Sequence, residues 1–297
     1  MTPKSLFQLA TTAFKNWMKD YAPSMGAALA YYTVFSIAPL LVIVIAGAAL
    51  IFGQDAALAA IMDQARGMIG ENGAKTIEGM LVSAQKPKGG MIASTLGILV
   101  LLIGATTVLA ELETNLNRIW KVEADKVSGL WSFMRTRLLS FGIVLAIGFL
   151  MIVSLVISAA IAAWGKYWSG WFGAMEVLLQ AANFVVSVAI VTVLFAIIYK
   201  IMPRAVIRWR DVWIGALVTA LLFSLGKFLI GFYIVKSGVE SSYGAGGALV
   251  VLLVWVYYSA QIFLLGAEFT KVYAESHGSR KSLKPRTISS TDIPRPA

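Results

Sequence analysis

The sequence predicts an all-α protein, a polytopic membrane bundle of six transmembrane helices with both termini in the cytoplasm. Three observations predict it. Five long apolar segments, Tyr21–Gln54, Gly89–Ala110, Leu138–Gly165, Val177–Tyr199 and Ser241–Ala267, contain no Asp, Glu, Lys or Arg, and a sixth, Val212–Val235, contains only Lys227. Crossing a hydrocarbon core of about 30 Å takes about 20 residues at helical rise, and every segment is long enough. Backbone polar groups must be paired within lipid, so each segment is expected to be helical, and unbroken apolar runs exclude the alternation of a β-barrel. Second, with 59% hydrophobic and 13% charged residues, a chain of 297 residues lacks the polar surface to coat a soluble globule. Third, the charge is distributed as membrane insertion requires. Arg118, Lys121, Lys126, Arg135 and Arg137 lie between spans two and three, and Lys200, Arg204, Arg208 and Arg210 between spans four and five. Lys271, Arg280, Lys281, Lys284, Arg286 and Arg295 follow span six, while Lys166 and Lys236 stand near the intervening short loops. Alternate loops are basic, which places them and both termini inside.

Residues 1–24 are expected to form a cytoplasmic interfacial segment. Leu6, Leu9, Ala13, Phe14 and Trp17 fall on one helical face and Lys4, Lys15 and Lys19 elsewhere, the pattern of an amphipathic helix lying on a membrane surface before the chain turns at Pro23. The six-helix domain then occupies 25–275. Its loop 54–88 is long and nearly charge-balanced, with Arg66, Lys75, Lys86 and Lys88 against Asp55, Asp63, Glu71 and Glu78. Apolar residues recur there at helical spacing on either side of Gly70 and Asn72–Gly73, so two short amphipathic helices on the outer face are expected. Residues 276–297 mix Ser, Thr, Pro and charge and read as a disordered cytoplasmic tail.

Polar residues inside the spans are the candidates for function. Span one places Tyr31, Tyr32, Thr33 and Ser36 in its inner half beside the small residues Gly26, Ala27, Ala28 and Ala30, which admit a close neighbour. Pro39 removes a backbone donor and should kink the helix. Such a break can line a cavity or simply pack a bundle. Span six aligns Tyr257, Gln261 and Glu268 toward its inner end, and the inward end of span two aligns Glu111, Asn115 and Arg118 at i, i+4 and i+7. Tyr31, Tyr32, Ser36, Pro39, Glu111, Asn115, Tyr257, Gln261 and Glu268 thus form a candidate inner polar site. The alternative for the carboxylates is pairing with the basic loops. At the outer side, Lys227 falls at a depth comparable to Gln180 and Asn183 of span four, a candidate outer polar site. A lysine costs about 2.5–3.5 kcal/mol at a span's centre on insertion scales, so it is expected to have a partner or to snorkel to the interface.

The stretches MGAALAYYTVFSIAPLL (25–41), LNRIW (116–120) and 213–274, with YGAGG (243–247), Trp255 and LLGAE (264–268), resemble the BrkB/YihY family of bacterial inner-membrane proteins. The resemblance implies a six-helix, multi-pass inner-membrane fold with suggested links to virulence, serum resistance and envelope lipid transport. An older family label, ribonuclease BN, fails on chemistry: metal-dependent RNA hydrolysis needs clustered ligands, and the chain has one histidine, His277, and no cysteine. Neither a GxSxG elbow nor a GxxxxGK[ST] loop occurs. No catalytic residue, metal or cofactor is therefore expected, and the protein is not read as an enzyme. Membrane lipids are the expected partners, with anionic headgroups rather than nucleic acid at the basic loops. Association with a second copy or with envelope proteins is left open. Two readings follow: a transporter or flippase-like carrier of an envelope lipid or other amphiphile without an ATP motor, or a non-transporting scaffold for an envelope assembly.

Overall fold

The computed structural model describes residues 3–85, 107–122, 142, 150, 153, 175–237 and 247–280. Its elements are α1 (Pro3–Lys19), α2 (Ala22–Phe52), α3 (Gln54–Gln85), α4 (residues 107–119), α5 (Met175–Ile201), α6 (Trp209–Ser237) and α7 (Gly247–Ser276). No strand occurs among the described residues. Among the described residues, three helical stretches are long and apolar enough to cross a membrane, Ala181–Ile201, Trp209–Ile230 and Leu249–Ser276. A fourth is the bent pair Ala22–Ala38 and Leu40–Leu50. The second and third predicted spans lie largely outside the described residues.

The α1–α2 corner is tight. Tyr21 takes the left-handed conformation, with φ 59°, and so reverses the chain between two helices. Pro23 follows in the first turn of α2, where a missing N–H costs nothing because the first four donors of a helix have no intrahelical acceptor. The expected kink is present: α2 bends by 45° where Pro39 interrupts it. At its far end Gly53, with φ 85°, turns the chain directly into α3 and donates to the Ala49 carbonyl at 3.0 Å. A residue with a Cβ would be strained there.

The 54–88 loop differs from expectation, because 54–85 is one continuous helix rather than two short ones. Gly and Asn weaken a helix interior by no more than about 1 kcal/mol each relative to Ala. Burial of a large apolar side chain returns about 1.5–3 kcal/mol. Ala57, Ile61 and Met62 before the glycines and Ile77 and Leu81 after them are buried and packed with Val34, Ile45, Leu252 and Val256, and Ala74 is buried as well. The packed face outweighs the breakers.

α1 also departs from the sequence pattern. Leu9 and Ala13 are buried against Phe269 and Val272 of α7, while Leu6 and Phe14 of the same apolar face remain exposed. The helix is therefore docked on the bundle and offers only part of its apolar face to a membrane surface. The chain beyond α7, assigned to the tail by composition, is held through Arg280. Ser279 donates its backbone N–H to Asp211 Oδ2 at 2.8 Å, and the Arg280 guanidinium lies 5.4 Å from the Trp120 ring centroid.

α5, α6 and α7 pack as antiparallel neighbours. Phe195 and Tyr199 near the end of α5, Thr219 in the first half of α6 and Phe263 midway along α7 share one level. On the opposite face of α6, Leu217, Leu221, Leu225, Phe228 and Phe232 are exposed in a stripe spaced by three or four residues. A stripe of that size suits hydrocarbon, not water.

Candidate functional site

The closest helix contacts are made by glycines and hydroxyls. A Cβ built on Gly266 would lie 2.0 Å from Thr219 Oγ1 and 2.7 Å from Tyr199 Oη, and one on Gly215 would lie 1.8 Å from Thr270 Oγ1. Small residues allow this approach, and the hydroxyls use it. Tyr199 donates to the Phe263 carbonyl at 2.7 Å and stands 3.2 Å from Thr219, which donates back to the Gly215 carbonyl at 2.7 Å. Tyr199, Thr219 and Thr270 were not singled out from sequence. The recurrence of Gly215 and Gly266 among apolar residues was the available signal.

Gln261, expected to face Tyr31, Tyr32 and Ser36, meets α2 at its first turns instead. Its Nε2 approaches the Pro23 carbonyl at 3.4 Å, and Gly26 leaves the space that it fills, since a Cβ there would be 1.9 Å from Nε2. Tyr31, Tyr32 and Ser36 do not share one face. Tyr31 is 58% exposed and packs on Tyr32 and Phe35 at 5.5 and 4.8 Å between centroids, whereas Ser36 is buried. Five residues along a helix is about 140° of rotation, so the two hydroxyls diverge. Tyr257 is exposed as well. Asn115 donates to Glu111 at 3.3 Å within α4. The neighbouring Glu113 accepts from Arg204 Nε at 3.0 Å, while the Arg204 backbone N–H donates to Asn117 Oδ1 at 2.8 Å. These contacts fasten α4 to the α5–α6 loop.

Glu268 lies nearer the basic end of the bundle and belongs to a different group. It is fully buried, with Lys271 Nζ 3.9 Å from its Oε2, and it neighbours Asp20 of the α1–α2 corner. Lys121 Nζ contacts Asp20 Oδ1 at 2.5 Å. Lys121 itself has φ 52°, and it closes α4 with two bonds: its N–H to the Arg118 carbonyl at 3.1 Å and that of Val122 to Asn117 at 2.9 Å. This is the paired closure that usually employs glycine. A non-glycine residue costs about 1–2 kcal/mol there, and the charge-assisted bond to a buried carboxylate contributes a comparable amount, about 1.5–3 kcal/mol. Burial works against the charge of Asp20. The bond and charge of Lys121, Glu268 as a donor when it carries a proton, and the charge of Lys271 together outweigh burial and hold the Asp20 carboxyl below the ordinary carboxylate range.

At the other end of α6, Lys227 lines a shallow recess with Phe223 and Ile230 of its own helix and Trp255, Tyr258, Ser259 and Ile262 of α7. Gly226 shapes it, since a Cβ there would meet Ile262 Cδ1 at 2.4 Å and the Tyr258 ring at 3.0 Å. Lys227 is itself exposed, beside two hydroxyl-bearing residues of α7. Asn183 is exposed on α5 one turn beyond Gln180. Tyr258 and Ser259, not recognised from sequence, are the polar groups that accompany Lys227.

Residues 13–290 match the sequence profile described as Virulence factor BrkB. A UPF0761 membrane protein of Tolumonas auensis is 30% identical over 198 residues, 65% of this chain and 62% of that protein. One of Alcanivorax borkumensis is 29% identical over 273 residues, covering 90% of this chain and 60% of the relative. For one of Aeromonas salmonicida the identity is 29% over 259 residues, with 83% and 82% covered. The matched region is thus about three fifths of the first two relatives' length. No solved structure matches the chain.

Proposed function

Because this chain belongs to the Virulence factor BrkB family, whose named relatives are membrane proteins, we propose that it is a six-span protein of the bacterial inner membrane that carries an anionic amphiphile, an envelope lipid, between leaflets. The observation that carries this reading is the surface recess of Lys227, an exposed lysine of α6 beside the hydroxyl-bearing Tyr258 and Ser259 of α7 on a pair of helices apolar enough to cross a membrane. An intramembrane cation is costly unless it serves a partner or a pathway. A phosphate-bearing headgroup supplies the opposite charge and the acceptors that the hydroxyls can satisfy, while acyl chains lie along the exposed apolar stripe of α6. Basic residues at the opposite end, among them Arg118, Arg204, Arg208 and Arg210, favour anionic headgroups at that surface.

The test is leaflet transfer of a labelled anionic phospholipid in proteoliposomes. Lys227→Met relieves an insertion cost and should leave thermal stability unchanged, while transfer falls about tenfold or more, as expected for one lost charge-assisted contact of about 1.5–3 kcal/mol. Lys227→Arg should keep part of the rate. Full transfer by Lys227→Met sinks the headgroup assignment, and absence of transfer by the unaltered protein favours a scaffold. That second reading has its own support in the close-packed Tyr199–Thr219–Gly266 seam, which suits a solid core.

Orientation follows from the Lys and Arg asymmetry. Single cysteines placed in this cysteine-free chain at Ser83 and Ser290 should react differently with an impermeant reagent in intact spheroplasts, only the former being labelled. Labelling at Ser290 would reverse the assigned orientation.

A further inference from the structure

Asp20 is 6% exposed and Glu268 is fully buried, and their side chains lie within interaction distance where the α1–α2 corner packs on α7. Three of their four carboxyl oxygens, Asp20 Oδ2 and both oxygens of Glu268, have no hydrogen-bond donor among the described residues. The fourth, Asp20 Oδ1, accepts from Lys121. Among the described residues the charged groups around the pair are lysines and Arg118, whose guanidinium lies 6.0 Å from the ring centroid of Tyr21, next to Asp20. Lys121 comes from the end of α4 and Lys271 from α7, Lys15 and Lys19 of α1 are exposed, and the first turns of α2 contain nothing ionisable. Lys271 Nζ, at 3.9 Å from Glu268 Oε2, is too far away to donate a hydrogen bond.

Two ionised carboxylates side by side repel, and a buried carboxylate without a donor costs several kcal/mol (~) in lost hydration. One proton removes both costs. It neutralises Glu268 and supplies the donor that Asp20 Oδ2 lacks, and Asp20 stays ionised against Lys121. We propose that Asp20 and Glu268 form a proton-binding site, an acid–carboxylate pair that holds a single shared proton at neutral pH and joins the α1–α2 corner to α7. The proton resides on Glu268 and is donated to Asp20 Oδ2. Its removal leaves the corner and α7 facing each other with like charges, so the site ties the seating of α2 to proton occupancy. This holds whether or not the protein moves a lipid.

Infrared spectroscopy of the purified full chain in lipid reads the site directly. Wild-type protein at neutral pH should show the carbonyl stretch of a protonated carboxyl group, and the band should shift with carboxyl-labelled glutamate but not with labelled aspartate. Glu268→Gln, which keeps a donor toward Asp20, should abolish the band and remain folded by size-exclusion chromatography. Asp20→Asn, which removes the anionic partner, should keep the band but displace its frequency. The label experiment needs no variant and decides the matter if either variant fails to fold. Absence of a protonated-carboxyl band at neutral pH, a band that follows the aspartate label, or a glutamate band that survives in folded Glu268→Gln would each overturn the proposal.

Discussion

Tyr199→Ala is expected to be among the most destabilising single substitutions in the described bundle, at about 3–5 kcal/mol by analogy with buried aromatic-to-alanine changes. The ring is fully buried, 5.0 Å from that of Phe263 and 6.2 Å from that of Phe195, so truncation opens a cavity where α5, α6 and α7 converge. Tyr199→Phe separates packing from hydrogen bonding. It removes only the bonds to the Phe263 carbonyl and Thr219, and interhelical polar contacts in membranes average about 0.6 kcal/mol. Stability against denaturant in mixed micelles should fall steeply for the alanine variant and slightly for the phenylalanine one. Equal losses in the two would show that the hydroxyl, not the ring, holds the seam.

Gly266→Leu should have an effect of similar size through the opposite fault. Even the first added carbon would stand 2.0 Å from Thr219 Oγ1 and 2.8 Å from Thr219 Cβ, so α6 must retreat from α7. Overpacking of a single site costs about 1–3 kcal/mol, a range expected for Gly266→Ala, and the longer side chain should exceed it. Gly79→Ala in α3 provides the control: nothing lies within 4 Å of its built Cβ, and alanine is the better helix former by about 1 kcal/mol. Thermal midpoints in detergent should therefore rank Gly79→Ala at or above wild type, then Gly266→Ala, then Gly266→Leu. A tolerated Gly266→Leu would mean that the two helices are not in close contact in the folded protein.

Much of this architecture is legible because its cause is local. A run without charge long enough to span hydrocarbon, a proline that bends the helix containing it, and small residues that permit contact each act through the residue itself or its near neighbours. Pro39 illustrates this with the 45° bend of α2. Gly70, Asn72 and Gly73 show the limit: read locally they break a helix, but α3 runs through them because residues on both sides find a common buried face. The candidate sites divide on the same line. Depth along a helix pairs Gln261 with Tyr31, Tyr32 and Ser36, yet Gln261 meets Pro23 and Gly26 at the start of α2, and Tyr31 and Ser36, close in sequence and depth, point in different directions.

By itself, then, the sequence determined that the protein is helical and membrane-embedded, which helices are apolar enough to cross, and where charge is costly, because the price of an exposed backbone or charge in lipid is set residue by residue. Only the tertiary structure decided which polar groups meet. Asp20 and Lys121 are 101 positions apart, and Tyr199 and Phe263 are 64 apart. Neither pairing follows from periodicity, since each depends on the rotation and close approach of separate helices, fixed by Gly215, Gly266 and the two left-handed corners at Tyr21 and Lys121. The same dependence explains why Glu268, read as part of a tyrosine-lined site, is instead the partner of an aspartate at the end of the helix that precedes the first span.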